Sequence, residues 1–324
     1  MTFERLPAYS GATVPEFDRL PARERERNQL PRAGTPSWVR KSGKPMRNIA
    51  FASVLLALCG CQAVQRQNVA PQSPAHRIVS LMPSFTEDRC AIGARRQIVG
   101  VSEFSNDVPC ANGLPAVGNA TSIDAERIVK MRADAVVGIP AQRSLTEPVR
   151  RAAIRTEFLA DDSFDDIFAD IEALGRLSGH DRQARALNDS LKARTRRLQR
   201  SVSMAKAPSV FVVIQAQPVW TVGPKSFVAT LVSLAGGRNA VTDLSQPYAQ
   251  YGAESLVRLQ PDVIVATRDS GLTYVLNRQP WRSLRAVRLK RVYVLSDDAL
   301  LLRPGPRYNE GLTWLIERFK QQPI

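Results

Sequence analysis

The chain is short of the side chains that build metal centres and catalytic triads. Histidine occurs twice in 324 residues, as His76 and His180, and cysteine four times. That leaves little room for a His-rich or four-cysteine metal site. There is no Gly-x-Ser-x-Gly, no His-Glu-x-x-His and no phosphate-binding glycine loop. A Ser-His-Asp triad would have to recruit one of the two histidines. A secreted hydrolase is therefore the remote alternative, and the expectation is a protein that is not an enzyme. Aromatic residues make up only 6% of the chain, so each one is informative.

Basic residues outnumber acidic ones, 45 to 30. Part of that excess lies ahead of Met46. Residues 1–45 hold several prolines, nine Lys/Arg and five Asp/Glu, with no apolar periodicity, and read as disordered or as an upstream extension with Met46 the true start. Met46-Arg47-Asn48 is followed by the apolar run 49–58 and then Cys59-Gly60-Cys61. The run is well short of the ~20 residues that span a bilayer and has signal-peptide proportions. Leu58-Cys59-Gly60-Cys61 resembles the bacterial lipobox, which makes Cys61 the lipidated first residue of the mature protein. Residues 61–324 then carry a net charge of +10. Their densest basic run, 192–200, has no interleaved aromatics, so it reads as a solvated helix face and no nucleic-acid partner is expected. After export only Cys90 and Cys110 remain. An oxidising compartment favours a bridge between them, the alternative being two separate buried thiols.

Residues 61–75 read as a flexible tether. Beyond it, short apolar strands alternate with helices. Strands are expected at 77–82, 97–101, near 156–159 and at 209–214. Helices are expected at 85–92 and 227–234, and a long helical pattern runs from about 165 to 204 with a break at Ser178-Gly179. Strand–helix–strand units with short joints signal parallel sheets. The helix–strand stretch 125–138 repeats at 253–266 with a fixed offset of 128. Ala125/Ala253, Glu126/Glu254, Val129/Val257, Asp134/Asp262 and Val137/Val265 are identical. The fold class is therefore α/β, with two similar Rossmann-like lobes, 76–164 and 208–324, joined by one long backbone α-helix within 165–207. A ligand belongs in the cleft between them, outside the carboxyl ends of the strands. Segments 217–220 and 297–307 are the candidate cleft segments of the second lobe.

Arg77-Ile-Val-Ser-Leu-Met-Pro-Ser-Phe-Thr-Glu87 resembles the opening of the helical-backbone periplasmic binding proteins of metal-chelate ABC importers. Ile98-Val-Gly-Val-Ser102, Ala125-Glu-Arg-Ile-Val129, Trp281-Arg-Ser-Leu-Arg-Ala-Val287 and Arg303-Pro-Gly-Pro-Arg307 strengthen the likeness. Nearly all of 76–320 is covered, and the cobalamin-binding branch is the most similar. The resemblance implies a corrinoid ligand, with haem or a ferric siderophore as alternatives, and no resident cofactor or metal. It implies an ABC permease and its ATPase as partners. The protein would act as a monomer on the periplasmic or outer cell face, lipid-anchored (to the outer membrane in a two-membrane bacterium). Glu126 and Glu254 take the permease-docking positions. Phe104, Trp220 and Tyr248 take the places of aromatics against the corrin plane, and Arg303 that of a basic residue at the cleft mouth. Two positions that carry tryptophan in well-known relatives fall on Ala120 and Ile139. A haem would want an axial His or Tyr, for which Tyr248 and Tyr251 are the candidates. Trp281 and Trp314 sit in amphipathic patterns and read as core.

Overall fold

The computed structural model describes residues 73–202 and 207–321. The extension 1–45, the signal-like segment 46–60, Cys61 and most of the tether lie outside the described residues.

The first lobe comprises β1 (Ile78–Ser80), α1 (Pro83–Ala91), β2 (Ile98–Val101), α2 (Ala125–Lys130), β3 (Ala135–Gly138), α3 (Glu147–Arg151) and β4 (Arg155–Phe158). Two helices follow, α4 (Asp166–Ser178) and α5 (Asp181–Arg200). The second lobe begins with β5 (Ser209–Val213), β6 (Gln215–Ala216), β7 (Val219–Val222), α6 (Phe227–Leu234) and β8 (Arg238–Asn239). It continues through β9 (Tyr248–Gln250), α7 (Ala253–Leu259) and β10 (Val263–Ala266). It ends with α8 (Arg285–Arg288), β11 (Val292–Val294), α9 (Ala299–Leu302) and α10 (Tyr308–Lys320).

Each lobe has a four-stranded, wholly parallel sheet, in the orders β2-β1-β3-β4 and β8-β5-β10-β11. Matching β5 to β1, β8 to β2, β10 to β3 and β11 to β4 makes the two orders identical. The offset-128 repeat is thus a repeat of topology. Its conserved aspartate explains why. Asp134 accepts backbone N–H bonds from His76 and Arg77 (2.9 and 3.0 Å), and Asp262 accepts one from Ser209 (2.9 Å). In each lobe the carboxylate ahead of one strand fixes the entry of the strand beside it. Arg132 and Gln260, also 128 apart, both adopt left-handed φ, +50° and +43°. The turn into the strand is therefore held by its surroundings, without a glycine.

The central strands β3, β5 and β10 are buried along their whole length, as expected of parallel strands covered on both faces. Their side chains alternate between two cores. Ile78, Ala135 and Val137 of the first sheet and Val210, Val212, Val263 and Val265 of the second belong to one cluster, shared with Ile167, Ile171 and Leu174 of α4 and Leu312 and Leu315 of α10. Val79 and Val136 face a separate cluster in the first lobe, and Phe211, Val213 and Ile264 another in the second. The lobes therefore share a core through the helices between them.

The break at Ser178-Gly179 is where α4 ends: Gly179 takes φ +73° and α5 resumes at Asp181. α5, with 20 residues, is the long helix of the linking region. α4 and α5 touch closely because Gly175 has no Cβ, which would stand 2.6 Å from the Ala184 Cβ. Buried hydrogen bonds tie α5 to the second lobe. Thr195 Oγ1 lies 2.7 Å from Tyr308 OH and 3.0 Å from Asn309 Oδ1, and Asn309 Nδ2 donates to the Leu191 carbonyl at 3.1 Å.

One feature was not legible in the alternation. β6, β7 and β9 form a small antiparallel sheet in the second lobe. Residues 217–220 make its hairpin turn and the start of β7. They form no crossover at the end of a parallel strand. Trp281 is fully buried as core, and Trp314 packs partly buried against the shared cluster. Cys90 and Cys110 are joined by a disulfide that pins α1 to the loop after β2.

Asn309→Ala should remove the Asn309–Thr195 and Asn309–Leu191 hydrogen bonds from a dry interface, while Thr195 keeps Tyr308 and the Leu191 carbonyl. We expect a loss of about 2 kcal/mol in urea unfolding with an unchanged m-value.

Candidate functional site

A cavity of about 360 Å³ lies where the first lobe's strands end. Leu81, Met82, Pro83 and Ser84 follow β1. Phe104 follows β2, Ile139, Ala141 and Gln142 follow β3, and Asp161 follows β4. The second lobe closes it with Leu302, Arg303 and Pro304 after α9. The wall is mostly apolar. Ala120 and Ile139 both line it.

Three polar side chains converge on this wall. Gln142 Oε1 accepts from the Ile139 N–H at 3.1 Å, while its buried Nε2 has no hydrogen-bond partner among the described residues. Ser84 Oγ donates to Asp161 Oδ2 at 3.0 Å, and Asp161 Oδ1 is likewise unpartnered. Burial, outweighing the Ser84 bond, raises the Asp161 carboxyl to about 7.

The mouth is held by charge across the lobes. Arg303 Nη1 donates to Glu87 Oε1 at 2.6 Å, and Nη2 donates to both Asp107 oxygens at 2.9 and 2.8 Å. Glu87, on α1, is 7% exposed. Burial raises its pKa, with Arg303 opposing. Arg307 Nη2 binds Asp297 at 2.9 Å and Glu310 at 3.1 Å, and its Nη1 stands 3.9 Å from Glu87. Arg303 thus borders the cavity with a guanidinium already paired to two carboxylates of the opposite lobe.

Behind the cavity, α1 and α4 bury two more carboxyls. Asp170 is raised to about 8 and Asp88 well above its ordinary range, in both cases chiefly by burial and then by neighbouring carboxylates. Desolvation of each charge is reinforced by like charges.

Of the remaining candidates, Phe104 lines the cavity and the others do not. Phe104 is 42% exposed, its N–H capped by Ser102 Oγ. Tyr248 lies on β9, with burial and then Asp161 and Asp162 raising its phenol to about 12. Tyr248 is 37% exposed, and it is not among the residues lining the cavity. Trp220, half-buried in β7 beside Gln250, does not line the cavity. Glu126 and Glu254 are the second residues of α2 and α7, and both are exposed. Glu126 has only Lys130 nearby, at 3.9 Å. His76 and His180 are outside the cavity lining, and among the described residues no cluster of His, Cys, Asp or Glu could hold a metal ion. Ser84, Asp107, Gln142 and Asp161 were not singled out by the sequence. Ser84 lies within the 77–87 motif, whereas nothing local marks the other three.

Residues 78–299 match the family described as periplasmic binding protein. The chain is 28% identical, over 83% of its length and 94% of the relative's, to the uncharacterised ABC transporter substrate-binding lipoprotein YvrC of Bacillus subtilis. Among solved structures, the periplasmic vitamin B12-binding protein BtuF of Vibrio cholerae is 27% identical, with a TM-score of 0.66 over 76% of this chain and 98% of that one. A periplasmic haem-binding protein from Pseudomonas aeruginosa is equally 27% identical, with a TM-score of 0.68 over 77% of this chain and 94% of that one.

Two outcomes follow from the buried charges. Arg303→Met strands Glu87 in a dry site and should cost about 3 kcal/mol in urea unfolding. In the double variant with Glu87→Gln, the loss should be smaller than the two single losses added together. For Asp170 the folded carboxyl titrates near 8 against an ordinary 3.8, so the native state holds the extra proton between those values. The stability contributed by this one carboxyl is full below about pH 4 and declines as pH rises towards 8. Asp170→Asn should flatten that decline by up to ~1.4 kcal/mol per pH unit, read from urea midpoints at pH 5, 6.5 and 8.

Proposed function

The chain belongs to the periplasmic binding protein family, as a substrate-binding protein of an ABC importer of the vitamin B12, haem and ferric-chelate type, and we propose that its own ligand is a corrinoid. The observation that carries this reading is a mostly apolar wall into which a few polar side chains, Ser84, Gln142 and Asp161, are set, with Arg303 at its mouth. A corrin ring is apolar over its faces and fringed with carboxamides, each offering both a donor and an acceptor. Gln142 supplies the donor. Asp161, titrating near 7, supplies an acceptor or a donor according to its proton. A haem presents carboxylates, which Asp161 would repel once ionised. Haem also asks for an axial ligand from the protein. Tyr248 is poorly suited to that as a phenolate, because burial and Asp161 keep its proton on. A corrinoid brings its own axial ligands.

In this reading Phe104, Trp220 and Tyr248 flank the macrocycle, the first from one lobe and the others from the second, offering broad apolar area at low entropic cost. Arg303 closes the mouth. The macrocycle is larger than the cavity, so its entry requires Arg303 to release Glu87 and Asp107. Loading is therefore coupled to breaking the inter-lobe ion pairs. Glu126 and Glu254, related by the lobe repeat, dock on arginines of a two-fold permease that an ATPase drives. Cys61 carries the lipid that keeps the protein at an extracytoplasmic membrane face.

Titration of the purified protein with hydroxocobalamin, followed by tryptophan fluorescence and checked by native mass spectrometry, should give saturable one-to-one binding. Gln142→Leu should weaken it at least tenfold, and Trp220→Ala should lower it further. Saturable binding of haemin or of a ferric hydroxamate, with none of hydroxocobalamin, would replace the corrinoid by that ligand.

A further inference from the structure

The long helix α5 presents a surface that the cleft does not use. Seven of its side chains are basic and two acidic. Arg182, Arg185, Lys192, Arg194, Arg196, Arg197 and Arg200 are all exposed. Among the described residues none of the seven makes an ion pair; the ion pairs of this protein lie on other elements. The buried stripe of the helix, Ala184, Asn188, Leu191 and Thr195, packs on α4 and α10. The cations occupy the rest of the circumference. From Arg182 to Arg200 they extend about 27 Å along the axis at 1.5 Å per residue. Asp189 is exposed among them, so the face is predominantly rather than wholly basic, and its excess of like charge costs self-repulsion.

The same helix borders a second cavity, of about 200 Å³. Its floor is aromatic: Phe164, Phe168 and Tyr308 meet edge to face, with centroids 5.0 to 6.1 Å apart. Its rim is cationic. Lys192 and Arg196, one turn apart, both line it, and Lys192 Nζ stands 4.6 Å above the Phe168 ring. An apolar floor beneath two unpaired cations suits an anionic amphiphile, with its phosphate on the rim and its glycerol or upper chain against the rings.

We propose that the basic face of α5, with this cavity along its edge, is a docking surface for an anionic phospholipid membrane. Charge complementarity and the amphiphilic cavity commit it to that occupant. Outside the floor of that cavity the face carries no aromatic side chain interleaved among its cations, as a nucleic-acid surface would. No residue of α5 lines the ligand cleft, and neither Glu126 nor Glu254 lies on α5. Docking by α5 therefore leaves the cleft and the two glutamates unoccupied. The inference is independent of the corrinoid reading and of the lipid on Cys61.

The test is flotation of the non-acylated protein with vesicles of pure phosphatidylcholine and of phosphatidylcholine with 25 mol% phosphatidylglycerol. Binding should be confined to the anionic vesicles and should fall at least tenfold between 50 and 500 mM salt, since exposed charges are screened. Lys192→Gln/Arg196→Gln/Arg200→Gln should lower the partition coefficient at least tenfold, with circular dichroism and thermal midpoint unchanged. Arg278→Gln/Arg282→Gln/Lys290→Gln removes equal charge from exposed positions elsewhere and should lower it less than threefold. Equal losses in the two triple variants would reduce the effect to net charge and overturn the proposal. Absence of binding to anionic vesicles, or tighter binding to duplex DNA than to those vesicles, would overturn it as well.

Discussion

Ile78, Ala135 and Val137 on one sheet and Val210, Val212, Val263 and Val265 on the other are buried by the same helices, α4, α5 and α10. Everything else in the molecule is arranged around that sharing. Each parallel sheet needs both faces covered. One face is covered within its own lobe and the other by the common helical layer. Neither lobe can rotate far on the other without exposing apolar surface that, at roughly 25 cal/mol per Å², would cost several kcal/mol. The Thr195–Tyr308–Asn309 hydrogen bonds add a directional lock to a non-directional one. The cleft is built on the strand ends that this frame holds still.

Against this dry frame the protein places an unusual number of buried charges. Glu87, Asp88, Asp161 and Asp170 all have pKa values raised by desolvation. Of the four, Glu87 is paired across the cleft with Arg303 and approached by Arg307, both from the second lobe, whereas Asp88 and Asp170 face only other carboxylates. Such groups add little to net stability compared with apolar packing of the same volume. What they supply is a polar register between lobes and a cleft wall whose protonation changes near neutral pH.

Much of the frame could be read from sequence because it repeats. The offset of 128 brought Asp134 and Asp262 into register, and those two carboxylates each hold a neighbouring strand. The break at Gly179 and the bridging cysteines were also local or compositional signals. The small antiparallel sheet was hidden because β6, β7 and β9 are only two to four residues long, too short for a period to emerge. The cleft's polar groups were hidden for another reason. Glu87 and Asp107 lie 216 and 196 positions from Arg303, and Asp161 lies 77 positions from Ser84. Their pairing exists only after the chain has folded, so Arg303 could be read as a basic mouth residue but its partners could not.

The Arg303 contact also bears on how a loaded carrier is told from an empty one. A protein whose two halves rest on one core has little outline to change when it fills. On the proposed reading the difference is concentrated at the rim, in whether one guanidinium is spent on Glu87 and Asp107 or released. Any downstream machine that distinguishes the two forms has to sense that local rearrangement, because the silhouette of the molecule carries almost no message.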